Sequence, residues 1–216
     1  MITLTGDQLL FLLRGFGWTV VLSLLAFAGG GALGLVLALT RVYAPRPLRT
    51  LAMLYIKLIQ GTPLLILLFL TYFGLPALGL VVDPLAAAAL GLSTYVSAYL
   101  GEIWRGSLEA VPRTQEEAAV CLALNWQQRL IHVILPQAVK IATPPTVGFM
   151  VQIVKNTSLA SAIGFVEMVR AGQMINNASF RPFIVFMLIA TLYFALCYPL
   201  SAWSRRLEGT FDVAHR

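Results

Sequence analysis

Charged residues are sparse along this chain, and they bracket long uncharged runs. Four runs, 15–40 (Arg14 to Arg41), 58–82 (Lys57 to Asp83), 84–101 (Asp83 to Glu102) and 182–204 (Arg181 to Arg205), approach the length a membrane-crossing helix needs, about 20 mostly apolar residues. A fifth, 141–154 between Lys140 and Lys155, is shorter and carries Pro144-Pro145, so on length alone it reads as a re-entrant or half-spanning helix. The polar stretch 102–140 separates this short run from the third long one. The pattern predicts an all-α integral membrane bundle, one domain over residues 1–216, with no low-complexity tract and no internal repeat.

Composition agrees: hydrophobic residues make up 59% and charged residues 11% of 216, with a mean hydropathy of +0.83, outside the range of a soluble domain. Residues 1–13 contain no Lys or Arg, and the first apolar run is too long for a signal-peptide core, so it is expected to remain as a span.

The net charge of +6 is unevenly placed. Eleven of the fifteen basic residues fall in 41–57 (Arg41, Arg46, Arg49, Lys57), in 102–140 (Arg105, Arg113, Arg129, Lys140) and in the tail (Arg205, Arg206, Arg216). Arg14, Lys155, Arg170 and Arg181 lie toward the other side or within the membrane. The positive-inside rule makes the larger group cytoplasmic, with the N-terminus outside and the C-terminus inside. An odd number of spans follows, which makes 141–154 a crossing and brings the expected total to five. The charge is a topology signal, aided by anionic membrane lipid, rather than a nucleic-acid footprint.

The stretch 102–140 carries helix-start signals. Thr114 with Glu117 three residues on, and Asn125 with Gln128, match capping boxes. They predict two short helices joined near Leu124-Asn125 and closed by Leu135-Pro136. Ala118 and Ala119 add no bulk, so the first helix can lie flush in a groove, and Glu117 near its start suits the helix dipole.

Other polar positions leave alternatives open. Lys155-Asn156-Thr157-Ser158 follows the short apolar run, where non-helical backbone needs protein or a water-filled cavity to receive it. It reads either as part of a solute path or as a cap near the outer surface. Glu102 and Arg105 are spaced to pair on one helix face, as are Glu167 and Arg170. Glu167 stands either as an intramembrane acid facing a path or in an outer-surface pair. Gly29-Gly30-Gly31 and Gly34 suit close packing of the first span on a neighbour, in preference to a hinge. Cys121 and Cys197, with His132 and His215, make neither a disulfide framework nor a metal site, and the cysteines are expected to be packing residues. A membrane enzyme has no Ser/His/acid or metal cluster to work with, and the chain has no phosphate-binding Gly-rich Lys-Ser/Thr loop. A passive channel remains a rival.

The run Glu117-Ala118-Ala119, Ala123, Val133, Leu135-Pro136 resembles, in its spacing, the loop by which membrane subunits of ABC importers engage their ATPase. Gln60-Gly61-Thr62-Pro63-Leu64-Leu65, Tyr72-Phe73-Gly74-Leu75-Pro76, Ala98 to Gly106 and Lys155 to Ser161 resemble signatures of polar amino acid importers of the histidine/glutamine permease type. The resemblance implies an ABC type I importer-like, five-span helical bundle with two short cytoplasmic coupling helices. It sits in the bacterial cytoplasmic (inner) membrane beside an identical or similar second permease subunit, two ATPase subunits and an extracytoplasmic amino-acid-binding protein. It further implies that ATP and Mg bind the partner ATPase and that this chain holds no cofactor. The chain is then no enzyme but a subunit moving a polar amino acid by alternating access, another small solute being the alternative. The ATPase-coupling residues would be Glu117, Ala118, Ala119, Ala123, Leu124, Leu135 and Pro136. The substrate path would include Gly61, Thr62, Pro63, Asn156, Thr157, Ser158 and Glu167. Two positions depart from the family pattern: Ala123, where Gly is usual and left-handed backbone comes more readily, and Asn156, where Asp is common.

Overall fold

The computed structural model describes residues 5–212, and every regular element among them is helical. Arg216 and His215 lie outside the described residues. The helices are α1 (Gly6–Tyr43), α2 (Arg46–Gln60), α3 (Leu64–Phe69), α4 (Leu75–Ala77), α5 (Pro84–Glu109), α6 (Arg113–Cys121), α7 (Trp126–Arg129), α8 (Leu135–Asn156), α9 (Met168–Ser179) and α10 (Pro182–Asp212).

Helix α1 starts behind Thr5, which accepts from the Gln8 amide at 3.4 Å while Gln8 Oε1 accepts from the Thr5 amide at 3.1 Å, a reciprocal cap. Its 38 residues make a rod of about 57 Å, longer than the roughly 30 Å hydrocarbon core. Helices α1 and α10 are each long and apolar enough to cross a membrane alone. Helix α5 has 26 residues and starts behind Asp83, whose carboxylate accepts from the Ala86 amide at 2.7 Å, with Pro84 in the first turn where no amide hydrogen is needed.

The uncharged run 58–82 is not one helix. Helices α2 and α3 are bent by 102° about Gly61-Thr62-Pro63, because Pro63 offers no N–H and pushes Thr62 out of helical backbone. Helix α2 begins at the Tyr43 end of α1, where Arg49 donates to the Val42 carbonyl at 3.1 Å, and rises to the middle of α5, where Gln60 Nε2 donates to the Ala98 carbonyl at 3.4 Å. Lys57, grouped with the cytoplasmic cations by the charge count, rides on the last turn of this rising helix.

The short run 141–154 lies within a longer helical rod: α7 passes through a π-turn (Leu130–Ile134) into α8, then a 3-10 turn (Thr157–Ile163), and bends by 51° into α9. Leu135-Pro136 therefore does not close the second short helix. Pro136 has no N–H for the His132 carbonyl, and the wider π-turn falls where that bond is missing. Leu75-Pro76 repeats the device behind the π-turn Leu70–Gly74. Pro144 and Pro145 stay inside α8; nearby hydroxyls serve its carbonyls, Thr143 donating to Val139 at 2.6 Å and Ser204 of α10 to Pro144 at 3.1 Å.

The most extensive interface joins α1 to α5. A Cβ on Gly34 would lie 3.1 Å from the Ser97 carbonyl oxygen and 3.2 Å from the Gly101 nitrogen, and one on Gly30 would collide with Val96 and lie 2.8 Å from the Ser93 carbonyl. The glycine cluster is a close-packing surface, as the sequence suggested. Side chains of α1, α2, α3, α5, α8 and the 3-10 turn form the main buried cluster, including Leu22, Ile56, Leu68, Leu92 and Ile153. A second cluster joins Leu12 to Met168, Ala171, Val185 and Ile189 on α9 and α10.

Candidate functional sites

The loop between α5 and α8 holds the first site. Helix α6 begins at Arg113 behind Pro112 without a side-chain cap, so the Thr114–Glu117 box does not form: the helix has already started two residues earlier, at the φ fixed by proline. The second box does form, with the Gln128 amide donating to Asn125 Oδ1 at 2.9 Å and the Asn125 amide to Gln128 Oε1 at 3.0 Å. Between the helices, the Leu124 amide donates to the Ala119 carbonyl at 3.2 Å and the Ala123 amide to the Val120 carbonyl at 2.9 Å, with Ala123 at φ +56°. These paired bonds around a left-handed residue are a Schellman ending. Ala123 thus adopts the backbone for which glycine is better suited.

The two alanines separate. Ala118 is exposed beside Glu117, whereas Ala119 is 2% exposed and packed within this chain. Val120 and Leu122, 52% and 75% exposed, complete an apolar surface next to the carboxylates of Glu116 and Glu117. Cys121 is exposed on the same helix and is not a packing residue; Cys197 is partly buried in α10. Leu135 packs against a small core of Leu108, Val111, Ile134 and Ala138, Leu124 is half-buried and Pro136 is exposed. Of the seven loop residues named from sequence, Glu117 and Ala118 thus belong to this exposed face, Ala119 and Leu135 hold the loop's shape, and Ala123 sets its turn.

An ionic cluster lies at the neighbouring end of α5. Glu102 and Arg105 pair at 2.7 Å, Arg105 also pairs with Glu109, and Arg41 of α1 reaches Glu102 at 3.1 Å. The i,i+3 pair was legible; the tie to α1 was not, because nothing in the local spacing brings Arg41 to Glu102.

The second site lies around the middle of α5. Tyr55 Oη and Ser97 Oγ are 2.8 Å apart, Gln60 reaches the Ala98 carbonyl, and the half-buried Asn156 ends α8. Tyr99 stacks on Phe149 with centroids 5.4 Å apart. Helix α3, which follows the break at Gly61-Thr62-Pro63, packs on the 3-10 turn Thr157–Ile163, and both touch α5. Thr62 and Ser158 cap their own helices, donating to Leu58 at 2.8 Å and Lys155 at 2.7 Å. Thr157 is fully buried and donates to Val154 at 2.8 Å. Tyr55 and Ser97 went unnoticed in sequence because polar residues within an apolar helix carry no periodic signal; Tyr99 and Gln60 stood in family-like blocks.

Glu167 belongs to neither site. It is fully buried and its carboxylate accepts from the Val169 and Arg170 amides, both at 2.8 Å, and from Tyr193 Oη at 3.3 Å. Thr19 of α1 accepts from the Met168 amide at 3.2 Å alongside. The outer-surface pair with the Arg170 side chain does not form; that guanidinium donates to Gln173 at 3.4 Å. The carboxylate caps α9 and fastens it to α10, serving two orphan amides at once.

Residues 30–209 match the family described as binding-protein-dependent transport system inner membrane component. The chain is 32% identical to the probable glutamine ABC transporter permease protein GlnM of Bacillus subtilis (strain 168), over 99% of each chain. It is 35% identical to the L-cystine transport system permease protein TcyB of the same organism, over 92% of this chain and 85% of the other. Its fold superposes on the crystal structure of an amino acid ABC transporter with histidines, with a TM-score of 0.87, 30% identity and coverage of 97% of this chain and 100% of that one. The inward-facing MetNI methionine ABC transporter, at 19% identity and a TM-score of 0.74, shares the fold, covering 94% of this chain and 97% of that one. An all-helical membrane chain, with a helix-turn-helix loop bearing exposed Glu117 and Ala118 and no ATP-binding motif of its own, belongs to the binding-protein-dependent transport system inner membrane component family as an integral membrane permease subunit of an ABC transporter.

Proposed function

We propose that this subunit imports a polar amino acid or a close derivative by alternating access, with ATP and Mg bound by partner ATPases and the solute delivered by an extracytoplasmic binding protein. The observation that carries the reading is the exposed Glu117, Ala118, Val120 and Leu122 face of α6 in a chain that otherwise matches amino-acid permeases along its length. A polar loop that holds apolar side chains in water offers them to a partner. In this reading the chain crosses a bacterial inner membrane five times, with the N-terminus outside and the loop and C-terminus in the cytoplasm, the side that the majority of its basic residues supports. A second, identical or similar permease subunit completes the path.

The reading of the path is supported by helix α3, which follows the break at Gly61-Thr62-Pro63, packing on the 3-10 turn that holds Ser158, with both against α5, since discontinuous helices are one way to place polar groups at membrane depth. The half-buried Asn156 amide suits the α-amino or α-carboxylate group of a solute that has shed its water, since a buried polar group without a partner costs roughly 2–7 kcal/mol. Glu167 and Thr157 act as struts rather than path residues, both being committed to internal hydrogen bonds.

Docking is tested with Ala118→Trp, because Ala118 is exposed whereas bulk at Ala119 would disrupt the chain's own packing. The variant should insert and accumulate normally, yet lose copurification with the ATPase. Unchanged copurification and transport would refute the docking face.

A further inference from the structure

The short helix α7 makes a contact with α1 that chain continuity does not require. Trp126, its first residue, packs edge-on against Tyr43, the last residue of α1, with ring centroids 5.5 Å apart and planes at 84°. Helix α6 is linked to α7 by Glu116, 3.9 Å from Arg129, so the two short helices are joined to each other as well as to α1. The end of α1 is itself held: Arg49 donates to the Val42 and Ala44 carbonyls at 3.1 and 3.5 Å, and Arg41 bridges to Glu102. Beside this contact lies a cleft of about 420 Å³ lined by Tyr43, Leu108, Glu109, Arg113, Glu116 and Ile134, while Leu39 and Val42 of α1 also pack with the small core of Leu108, Val111 and Ile134.

A displacement of the loop therefore has two physical routes into the membrane. One runs along the chain from α7 into α8 through the π-turn Leu130–Ile134, whose helical bonding is irregular. The other crosses space from Trp126 to Tyr43 and enters α1, which packs tightly on α5 through Gly30 and Gly34 against Val96, Leu100 and the Ser93 and Ser97 carbonyls. We propose that Tyr43 is a positioning residue for energy coupling: through its ring contact with Trp126 it passes movement of the ATPase-docked loop to α1 and, with it, to α5. This rests on the docking reading of α6, and it makes α1 part of the machinery rather than an outer strut.

The geometry uses the Tyr43 ring, since an edge-to-face pair needs a ring edge and a ring face and no hydroxyl. The phenylalanine substitution should therefore preserve the function and the alanine substitution remove it. The test uses the complete importer, permease with its ATPase and binding protein, reconstituted in proteoliposomes, with solute taken up and ATP hydrolysed measured together. Tyr43→Ala should retain the ATPase and hydrolyse ATP, while solute moved per ATP falls by about three- to tenfold, the range of one aromatic pair. Tyr43→Phe should restore the parent ratio, and Trp126→Ala should lower it without a further fall when combined with Tyr43→Ala, as for two residues acting through one contact.

A parent-like ratio in Tyr43→Ala, or a Phe variant no better than Ala, overturns the proposal. So does loss of the ATPase from Tyr43→Ala, which would make Tyr43 a support for docking instead. If Tyr43→Ala does not accumulate, the Trp126→Ala ratio decides, and a parent value there is equally fatal. Failure of the docking reading is seen separately, as an ATPase that stays bound to Ala118→Trp.

Discussion

Ala123 is the one loop position whose backbone works against its side chain. At φ +56° its Cβ crowds the neighbouring carbonyl, a cost of about 1–2 kcal/mol for an L-residue. Ala123→Gly removes that crowding but gives the unfolded chain more freedom, returning roughly 0.5–1 kcal/mol. The balance favours the turn by about 0.5–1 kcal/mol, a two- to fivefold shift between formed and opened cap. The Leu124 amide reports on this equilibrium directly, because its hydrogen bond to the Ala119 carbonyl exists only while the turn is formed. In the isolated subunit in lipid nanodiscs, hydrogen exchange at Leu124 should slow by about two- to fivefold in Ala123→Gly after correction for intrinsic rates. Ala123→Val should speed it, since a β-branched residue fits left-handed backbone worst. A Gly variant that exchanges as fast as the parent, or a Val variant that exchanges no faster, would show that the turn holds no such strain.

Gly30→Ala should lower thermal stability in detergent by about 1–3 kcal/mol, the usual cost of overpacking, while Gly17→Ala, which meets nothing within 4 Å, should be silent; equal melting temperatures would contradict the close α1–α5 approach. Glu167→Ala strands two amides of α9 and should destabilise by about 1–3 kcal/mol per group, with faster exchange at Val169 and Arg170; unchanged exchange there would rule out the cap. Asn156→Ala should weaken apparent solute affinity by about tenfold or more, the range of a hydrogen bond to a charged group, with ATPase copurification intact, and parent kinetics would send the path elsewhere. With Cys197→Ser in place, a membrane-impermeant thiol reagent should reach Cys121 only from the cytoplasmic face, and labelling in intact cells would reverse the orientation.

The sequence revealed class and loop because both rest on local chemistry. Uncharged runs report transfer from water, and Asn125-Trp126-Gln127-Gln128 states its own cap. It misplaced features decided by competition between neighbours. Thr114 and Glu117 match a capping box, yet Pro112 two residues earlier starts the helix first. Run 58–82 is apolar from end to end, and hydropathy has no term for the proline that bends it by 102°. Glu167 and Arg170 have ion-pair spacing, but the carboxylate takes backbone amides of its own first turn, closer and better fixed than a flexible guanidinium. Ala119 reads as one of two equivalent small residues, and only the fold, by packing α6 on the Leu130–Ile134 turn, decides which faces water.

The same distinction bears on how the molecule moves. Helix α1 is fastened near one end, where a Cβ on Gly15 would lie 2.9 Å from Ala171 and Thr19 meets the Met168 amide, and at the other by Arg41, Tyr43 and the Arg49 cap. Between them, Gly30 and Gly34 bring its backbone close onto α5, against Val96, Leu100 and the Ser93 and Ser97 carbonyls. A helix held this way shifts as a body or not at all, since close-packed surfaces have discrete arrangements and resist gradual deformation. Backbone outside regular helix falls instead at Gly61-Thr62-Pro63, between two helices that touch α5, and the helix geometry tightens at Thr157–Ile163, itself against α5. Irregular backbone at membrane depth is tolerated where protein or a water-filled path receives it. The chain thus combines a closely packed α1–α5 pair with two irregular segments of backbone, the pairing that the proposed coupling route and solute path would use.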